Sequence, residues 1–247
     1  MRRARDGARS SRGRRRYALY VAKARGRDRV CLISDAPVAA AAELPPAEGD
    51  EPEELRLARA LAHATSLLDA DRLEHLTTVA DLCAALAAQL RLDDAGVLRC
   101  RLGGLLHDVG KVAVPGAILA SAAPLSAAER ELVRAHCEHG ESIVLGFDAL
   151  RELAPIVRHH HERVDGQGYP DGLAGDAIPL EARIVAVADA FAAITADRGY
   201  RPARSPEEAF DELRRAAGTQ LDAQAVDGLL ELMGARAGWP AADRRAA

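Results

Sequence analysis

The eight histidines of this 247-residue chain are placed unevenly, and several stand beside carboxylates. His107 is followed directly by Asp108, and residues 159–161 form a run of three histidines. His75 lies four residues after Asp71, so a helix would put both on one face. Imidazole and carboxylate together suit iron, manganese or zinc, and clusters of them without paired thiolates are typical of catalytic metal sites. The sequence therefore predicts a catalytic metal centre.

The four cysteines lie far apart and form no C-x-x-C pair, which argues against both a zinc ribbon and a disulfide framework. They are Cys31, Cys83, Cys100 and Cys137. Such usage favours a protein of the reducing cytoplasm.

The formal net charge of −4 conceals two regions of opposite sign. Residues 1–30 contain twelve Lys and Arg against two Asp, whereas the remainder has 21 basic and 35 acidic residues. An acidic body argues against binding of a nucleic acid polymer and suits a site that gathers carboxylates around cations. No stretch approaches the roughly 18 apolar residues of a membrane span. The early arginine pairs are not followed by an apolar segment, so export is not expected either.

Composition and periodicity predict an all-α fold. Aromatic residues make up only 3% of the chain, and small apolar residues dominate the 49% hydrophobic fraction, which suits helices better than sheets. Two helical stripes are formed by Leu57, Leu61, Ala64 and Leu68 and by Leu76, Val79, Leu82, Leu86 and Leu90. Capping boxes at Ser126 and Ser205 predict helices that begin near residues 127 and 206. Further helices are predicted over 94–107, 150–162, 180–195 and 222–234, with loops over 110–125 and 164–179.

The chain divides into five segments by composition. They are a disordered basic tail over 1–16, a short helix-and-strand segment over 17–34, an acidic proline-rich linker over 35–54, the main domain over 55–235 and a disordered tail over 236–247. Residues 18–23 read A-L-Y-V-A-K and residues 26–30 read G-R-D-R-V, which resembles the end of GGDEF (diguanylate cyclase) domains. The resemblance implies a remnant without cyclase activity. An unrelated basic amphipathic helix is the alternative.

Several blocks of the main domain occur in a fixed order. They are L-H-D-V-G-K-V-A-V-P over 106–115, H-C-E-H-G over 136–140, H-H-E-R-V-D-G-Q-G-Y-P over 160–170, R-I-V-A-V-A-D over 183–189 and A-G-T over 217–219. Together they resemble the HD-GYP family of the HD superfamily of metal-dependent phosphohydrolases. The resemblance spans residues 55–233. It implies an HD-superfamily helical bundle with the HD-GYP loop extension, which hydrolyses cyclic di-GMP to pGpG or GMP.

The resemblance also implies a centre of two or three divalent transition metals, with iron or manganese favoured. The implied ligands are His75, His107, Asp108, His136, His160, His161 and Asp189, with Asp108 bridging and acting as a catalytic residue. Two metals about 3.5–4 Å apart can share a hydroxide that attacks the phosphate. Asp71 has the spacing of an extra carboxylate that completes a third site in some members. An acid at a favourable helix start is its alternative role.

Other residues are implied on the substrate side. Lys111 stands where the family has a lysine, although the chain contains 31 arginines and only two lysines. A compact ammonium can approach a phosphate oxygen or the leaving group as a point charge, which makes Lys111 a catalytic and substrate-binding candidate. Gly168, Tyr169 and Pro170 belong to a loop that the family uses on its substrate side. Arg198 and Arg201 match basic residues that contact the dinucleotide; ordinary surface arginines are the alternative.

Two departures bear on activity. Ala192 stands where the family usually has a second aspartate, and Gly199 replaces a proline. We expect metal binding to persist and substrate positioning to weaken. The alternatives are therefore a weakly active or inactive regulatory module that binds nucleotide, and a hydrolase for another cyclic dinucleotide. The resemblance further implies a homodimer through the first helix of the domain and GGDEF-domain proteins as partners.

Overall fold

The computed structural model describes residues 52–66, 70–119, 121, 123–196 and 204–234. These residues fold into ten α-helices, and no β-strand forms among them, as predicted. The helices are α1 Glu53–Thr65, α2 Ala70–Gln89, α3 Asp94–Leu106, α4 Gly116–Leu119, α5 Ala127–Arg134, α6 His136–Leu145, α7 Ala154–His159, α8 Leu180–Thr195, α9 Pro206–Ala216 and α10 Ala223–Leu232. Three short 3-10 helices join them, Val109–Ala113, Asp148–Leu153 and Gly175–Ala177.

Several expectations lie outside the described residues. These are the two predicted tails, the GGDEF-like segment, nearly all of the linker, Gly199, Arg198 and Arg201. Asp71 lies within α2, but its side chain is not described.

Helix α2 occupies the middle of the core, where it packs against α3, α8 and α10. Its predicted stripe is confirmed, since Leu76, Val79, Leu82 and Leu86 are buried and Leu90 is partly buried. Gly104 of α3 lets the two helices approach closely. A Cβ there would lie 2.9 Å from the Ala80 Cα, so the small residues of this chain set the spacing between helices.

Local capping explains where several helices begin. Both predicted capping boxes form, because the side chains of Ser126 and Ser205 accept the backbone N–H of Glu129 and Glu208 and these glutamates bond back. Asp93 caps α3 in the same way through the Gly96 N–H, at 2.8 Å. The predicted helix starts near residues 94, 127 and 206 are therefore confirmed.

The predicted stripe of α1 is partly wrong. The buried residues of α1 are Leu55, Ala58 and Ala62, whereas Leu57 and Leu61 are only partly buried and Ala64 is exposed. Helix α1 packs against α2 and α3, and the two alanines face inward because they permit a close approach.

Two other predicted elements differ from the structure. The sequence predicts a loop over 110–125, but this region contains the end of one 3-10 helix and the four-residue helix α4. The single helix predicted over 150–162 divides into a 3-10 helix and α7, which ends at His159. Pro155 lies at the start of α7, and a proline fits there because it lacks the N–H that a continuous helix would need.

Cys83, Cys100 and Cys137 are buried free thiols, which agrees with the predicted lack of disulfides within the described residues. Burial raises the pKa of Cys100 and Cys137 to about 12, so both remain protonated. In the part of the chain that the structure describes, every helix is too short or too polar to cross a bilayer.

Candidate metal centre

The seven histidines and aspartates implied as metal ligands converge from distant parts of the chain. They come from α2, the end of α3, the start of α6, the turn after α7 and the middle of α8. Two groups of donor atoms result.

The first group, here called the four-donor group, consists of Asp108, His136, His160 and His161. One ligand atom from each side chain lies within 4.8 Å of the others. Three members are buried and His161 is partly buried. The Nε2 atoms of His136 and His160 are only 3.3 Å apart.

The second group, here called the three-donor group, consists of His75, His107 and Asp189. The His75 Nε2 atom lies 3.0 Å from the Asp189 Oδ1 atom, and the His107 Nε2 atom lies 3.9 Å from the same oxygen. The side chains of His75 and Asp189 are 18% and 25% exposed, whereas His107 is buried.

Asp108 faces both groups. Its Oδ1 atom lies 3.5 Å from the Nε2 atom of His136, and its Oδ2 atom lies 3.6 Å from the Nε2 atom of His107. A carboxylate with one oxygen toward each of two donor groups has the arrangement expected of a bridging ligand.

Backbone carbonyls orient three of the histidines. The Nδ1–H of His107 donates to the Gly104 oxygen at 2.8 Å, that of His136 to Val133 at 2.6 Å and that of His160 to Val157 at 2.8 Å. A carbonyl only accepts, so each Nδ1 carries the proton and each Nε2 presents a lone pair.

This orientation tests whether the site fits a metal. The lone pairs of His136 and His160 meet at 3.3 Å with no proton to share between them, which is unfavourable unless a cation lies there. Nitrogen and carboxylate oxygen donors suit a divalent transition metal. The residues therefore fit the metals that the sequence implied.

The protonation states agree with this assignment. Burial lowers the pKa of His136 and lowers that of His160 well below its ordinary value, and it lowers that of His161 to about 4. These imidazoles are neutral at pH 7 and available as ligands. Burial raises the pKa of Asp108, but Lys111 and the neighbouring histidines outweigh this and hold the carboxyl well below its usual range. Burial also raises the pKa of Asp189, but other interactions, chiefly the hydrogen bond with His75, outweigh it and hold this pKa below its ordinary value.

Lys111 lies at the edge of the centre. Its Nζ atom is 2.7 Å from the Asp108 Oδ2 atom, and its side chain is partly exposed. The 3-10 helix that contains it packs on α6 through Gly110, where a Cβ would overlap the His136 oxygen and the Gly140 nitrogen. Gly110 thus sets the position of Asp108 and Lys111 against His136.

Tyr169 lies beside the four-donor group, with its ring centroid 4.9 Å from that of His161. Gly168 permits this, because a Cβ at that position would overlap the Arg163 nitrogen and crowd the Glu162 backbone. Pro170 follows Tyr169 in the same partly buried loop. The loop predicted to lie on the substrate side therefore does reach the metal centre.

A third set of possible ligands, His159, Glu162 and Asp171, was missed from the sequence. The Glu162 carboxylate accepts the backbone N–H groups of Asp171, Gly172 and Leu173 at 2.7–3.1 Å. Arg158 donates two hydrogen bonds to Asp171, at 2.7 and 2.8 Å, and one to Glu141 at 2.6 Å. The carboxylates of Glu162 and Asp171 are therefore already occupied by hydrogen bonds within the protein. We interpret this set as a clamp that holds the loop after His161, and not as a metal site. The only sequence signal was the glutamate directly after the paired histidines.

Ala192 lies on α8, three residues after Asp189, and is only 3% exposed. It belongs to the hydrophobic core. A carboxylate at this position would be largely buried.

Comparison with known proteins agrees with this geometry. The sequence profile of the HD domain family matches residues 54–225. The chain is 39% identical over 185 residues to the cyclic di-GMP phosphodiesterase response regulator RpfG of Xanthomonas campestris, an alignment covering 74% of this chain and 49% of that protein. It is 42% identical over 162 residues to the cyclic di-GMP phosphodiesterase PA4108 of Pseudomonas aeruginosa, covering 62% and 39%. It is 36% identical over 169 residues to the 3'3'-cGAMP-specific phosphodiesterase 3 of Vibrio cholerae, covering 68% and 36%.

The chain spans about half the length, or less, of these curated relatives. Among solved structures, Bd1817, an HDG"Y"P protein from Bdellovibrio bacteriovorus, superposes with a TM-score of 0.55 at 22% identity, covering 73% of this chain and 63% of that one. The fold is therefore of the HD type. Since the family profile also matches more than half of the sequence, the chain belongs to the HD domain family.

Proposed function

We propose that this domain is an HD-GYP phosphodiesterase that hydrolyses cyclic di-GMP to linear pGpG, GMP or both. Two features support the proposal. Relatives at 39% and 42% identity are named cyclic di-GMP phosphodiesterases, and the residues of this chain form two adjacent donor groups.

The observation that supports it most is the position of Asp108 between those groups, with one carboxylate oxygen toward each. Iron or manganese ions bound there would supply Lewis acidity to a phosphate and lower the pKa of the attacking water. The four-donor group would hold one ion and the three-donor group the other, with Asp108 shared. Asp71 is the proposed ligand of a third.

The other residues act on the substrate. Lys111 is partly exposed beside Asp108, where its ammonium can neutralise charge that develops on a phosphate oxygen or on the leaving group. Tyr169 and its loop form one wall of the site. Arg198 and Arg201 are proposed to contact the dinucleotide. A cytoplasmic location remains a prediction from the cysteine usage, and a homodimer through α1 and GGDEF-domain partners remain predictions from the resemblance.

A second substrate is favoured by a specific observation. Three relatives from Vibrio cholerae, 35–36% identical to this chain, are named 3'3'-cGAMP-specific phosphodiesterases. The two dinucleotides differ in one base, so the same metal centre could hydrolyse either. A regulatory module with little activity is the other alternative, and Ala192 is the residue that favours it.

The test is turnover of both dinucleotides by protein loaded anaerobically with Fe²⁺ or Mn²⁺, with products resolved by chromatography. We expect hydrolysis of cyclic di-GMP with the higher kcat/KM. A higher kcat/KM for 3'3'-cGAMP would change the substrate assignment. Hydrolysis of neither by fully loaded protein would contradict the enzymatic proposal and support the regulatory module.

A further inference from the structure

Arg134, at the end of α5, lies against the aromatic wall of the metal centre. Its guanidinium carbon is 5.1 Å from the centroid of the Tyr169 ring, a distance typical of a cation–π contact. The same ring stands 4.9 Å from that of His161. Arg134 is therefore separated from the four-donor group by a single aromatic ring.

The side chain of Arg134 is half exposed and only weakly engaged. Its Nη1 atom donates to the Glu131 Oε1 atom at 3.0 Å, and the two side chains are 50% and 69% exposed. An exposed pair of this kind adds little stability, because both charges are well solvated and the side chains lose entropy when they pair. A guanidinium resting on a ring keeps its N–H edge free, so Arg134 can exchange Glu131 for a stronger anionic acceptor.

A cyclic dinucleotide has two phosphodiesters, and the metal centre can act on only one at a time. The second phosphate must lie elsewhere on the protein surface near the site. Arginine binds phosphate through two parallel N–H···O bonds, which are stronger than the surface pair it makes with Glu131.

We propose that Arg134, held by Tyr169, binds the phosphodiester of the substrate that is not being hydrolysed. This rests on the proposed function, since it requires a substrate with two phosphates. Arg134 then contributes to affinity and to selection of dinucleotides over substrates with one phosphodiester, and it takes no part in the chemical step.

The test compares Arg134→Ala with the wild-type protein on two substrates. Cyclic di-GMP has two phosphodiesters, whereas bis(p-nitrophenyl) phosphate has one and cannot reach both sites. For cyclic di-GMP we expect KM to rise about tenfold to a hundredfold with kcat within twofold, because one charged contact is lost. For bis(p-nitrophenyl) phosphate we expect kcat/KM to change less than twofold. Arg134→Lys should give an intermediate KM, because lysine keeps the positive charge but lacks the paired N–H groups with which a guanidinium binds phosphate.

Arg130→Ala is the matched control, because Arg130 lies one turn earlier on α5 and donates to the Leu125 oxygen. It should leave both substrates unaffected. An unchanged KM for cyclic di-GMP in Arg134→Ala would overturn the proposal, and so would an equal loss on both substrates, which would indicate a structural role through Tyr169.

Calorimetric titration of the metal-loaded protein with cyclic di-GMP separates the proposed role of Arg134 from the proposed enzymatic function. If the wild-type protein binds cyclic di-GMP tightly without hydrolysing it, and Arg134→Ala weakens this binding, the proposed enzymatic function is contradicted and the role of Arg134 is supported. If the wild-type protein does not bind cyclic di-GMP, the role of Arg134 is overturned.

Discussion

The two donor groups of the centre are built differently. In the four-donor group, His136 and His160 are buried and each is oriented by a hydrogen bond to a backbone carbonyl three residues earlier. In the three-donor group, His75 and Asp189 are partly exposed and are oriented by their contact with each other at 3.0 Å. Among the described contacts of this group, His107 donates a hydrogen bond from its ring to a backbone carbonyl.

The difference has a consequence for metal affinity. A donor fixed by the backbone loses little freedom when a metal binds, whereas a donor that must leave a hydrogen-bonded partner loses that interaction. We therefore expect the four-donor group to bind its ion more tightly, and the three-donor group to exchange its ion more readily.

The largest effect is expected from Asp108→Ala, because Asp108 serves both groups. Removing one partner of a buried charge pair costs about 3–5 kcal/mol, and a loss of that size in metal binding corresponds to roughly 10²–10⁴-fold in affinity. Elemental analysis should show metal content falling at both groups, together with loss of activity. Asp148→Ala, which removes an exposed aspartate, is the control. Full metal content in Asp108→Ala would mean that the ligand set is misassigned.

The second prediction separates the two groups. His136→Ala should remove the tightly bound ion, whereas His75→Ala should remove only the weakly bound one and leave about one ion per chain. The measurement is metal content after dialysis, with His139→Ala, an exposed histidine on α6, as the control. Equal losses in the His136 and His75 variants would show that the groups do not differ.

The third prediction concerns the loop clamp, whose Glu162 directly follows His160 and His161 of the four-donor group in the chain. Glu162→Gln removes the charge from the acceptor of three partly buried N–H groups and turns one acceptor oxygen into an amide donor, so the free energy of unfolding should fall by about 1–3 kcal/mol. Metal affinity at the four-donor group should fall about tenfold, as for other residues that orient ligands. Chemical denaturation and metal titration would measure both. Glu152→Gln, at an exposed site, should change neither.

The smallest effect is expected from pH on the metal-free protein. An unfolded histidine binds a proton near pH 6.5, but burial lowers the pKa of His161 to about 4 and also lowers those of His136 and His160. Between these values the unfolded state binds more protons, so stability decreases as the pH falls through this window. The Tm should therefore be lower at pH 5 than at pH 7, and His161→Asn should reduce the dependence. A Tm that rises on acidification would contradict the assigned burial.

Six of the seven proposed ligands could be named from the sequence because they lie within short blocks that resemble the HD-GYP family, such as His107–Asp108 or the paired histidines 160 and 161. His75 lies outside those blocks. The orientation of the ligands could not be predicted, because it depends on backbone carbonyls that a local sequence does not distinguish. The role of Gly110 was hidden for a similar reason, since it depends on its contact with α6.

The helices show the same distinction between features set by residues close in sequence, which could be predicted, and features set by tertiary packing, which could not. Capping boxes predicted the start of α5 and α9, because a cap involves residues only three apart. The buried face of α1 was predicted only in part, because packing against other helices buries Ala58 and Ala62 in place of Leu57 and Leu61. Arg158 and Asp171 form a contact across thirteen residues that no periodicity indicates.

The central claim is that two unequal donor groups share Asp108. Anaerobic titration of the metal-free protein with Mn²⁺, followed by calorimetry, tests it most directly. We expect two ions per chain with separate affinities, the tighter one surviving in His75→Ala and neither surviving in Asp108→Ala. Fewer than one ion per chain, or two ions in Asp108→Ala, would contradict the account.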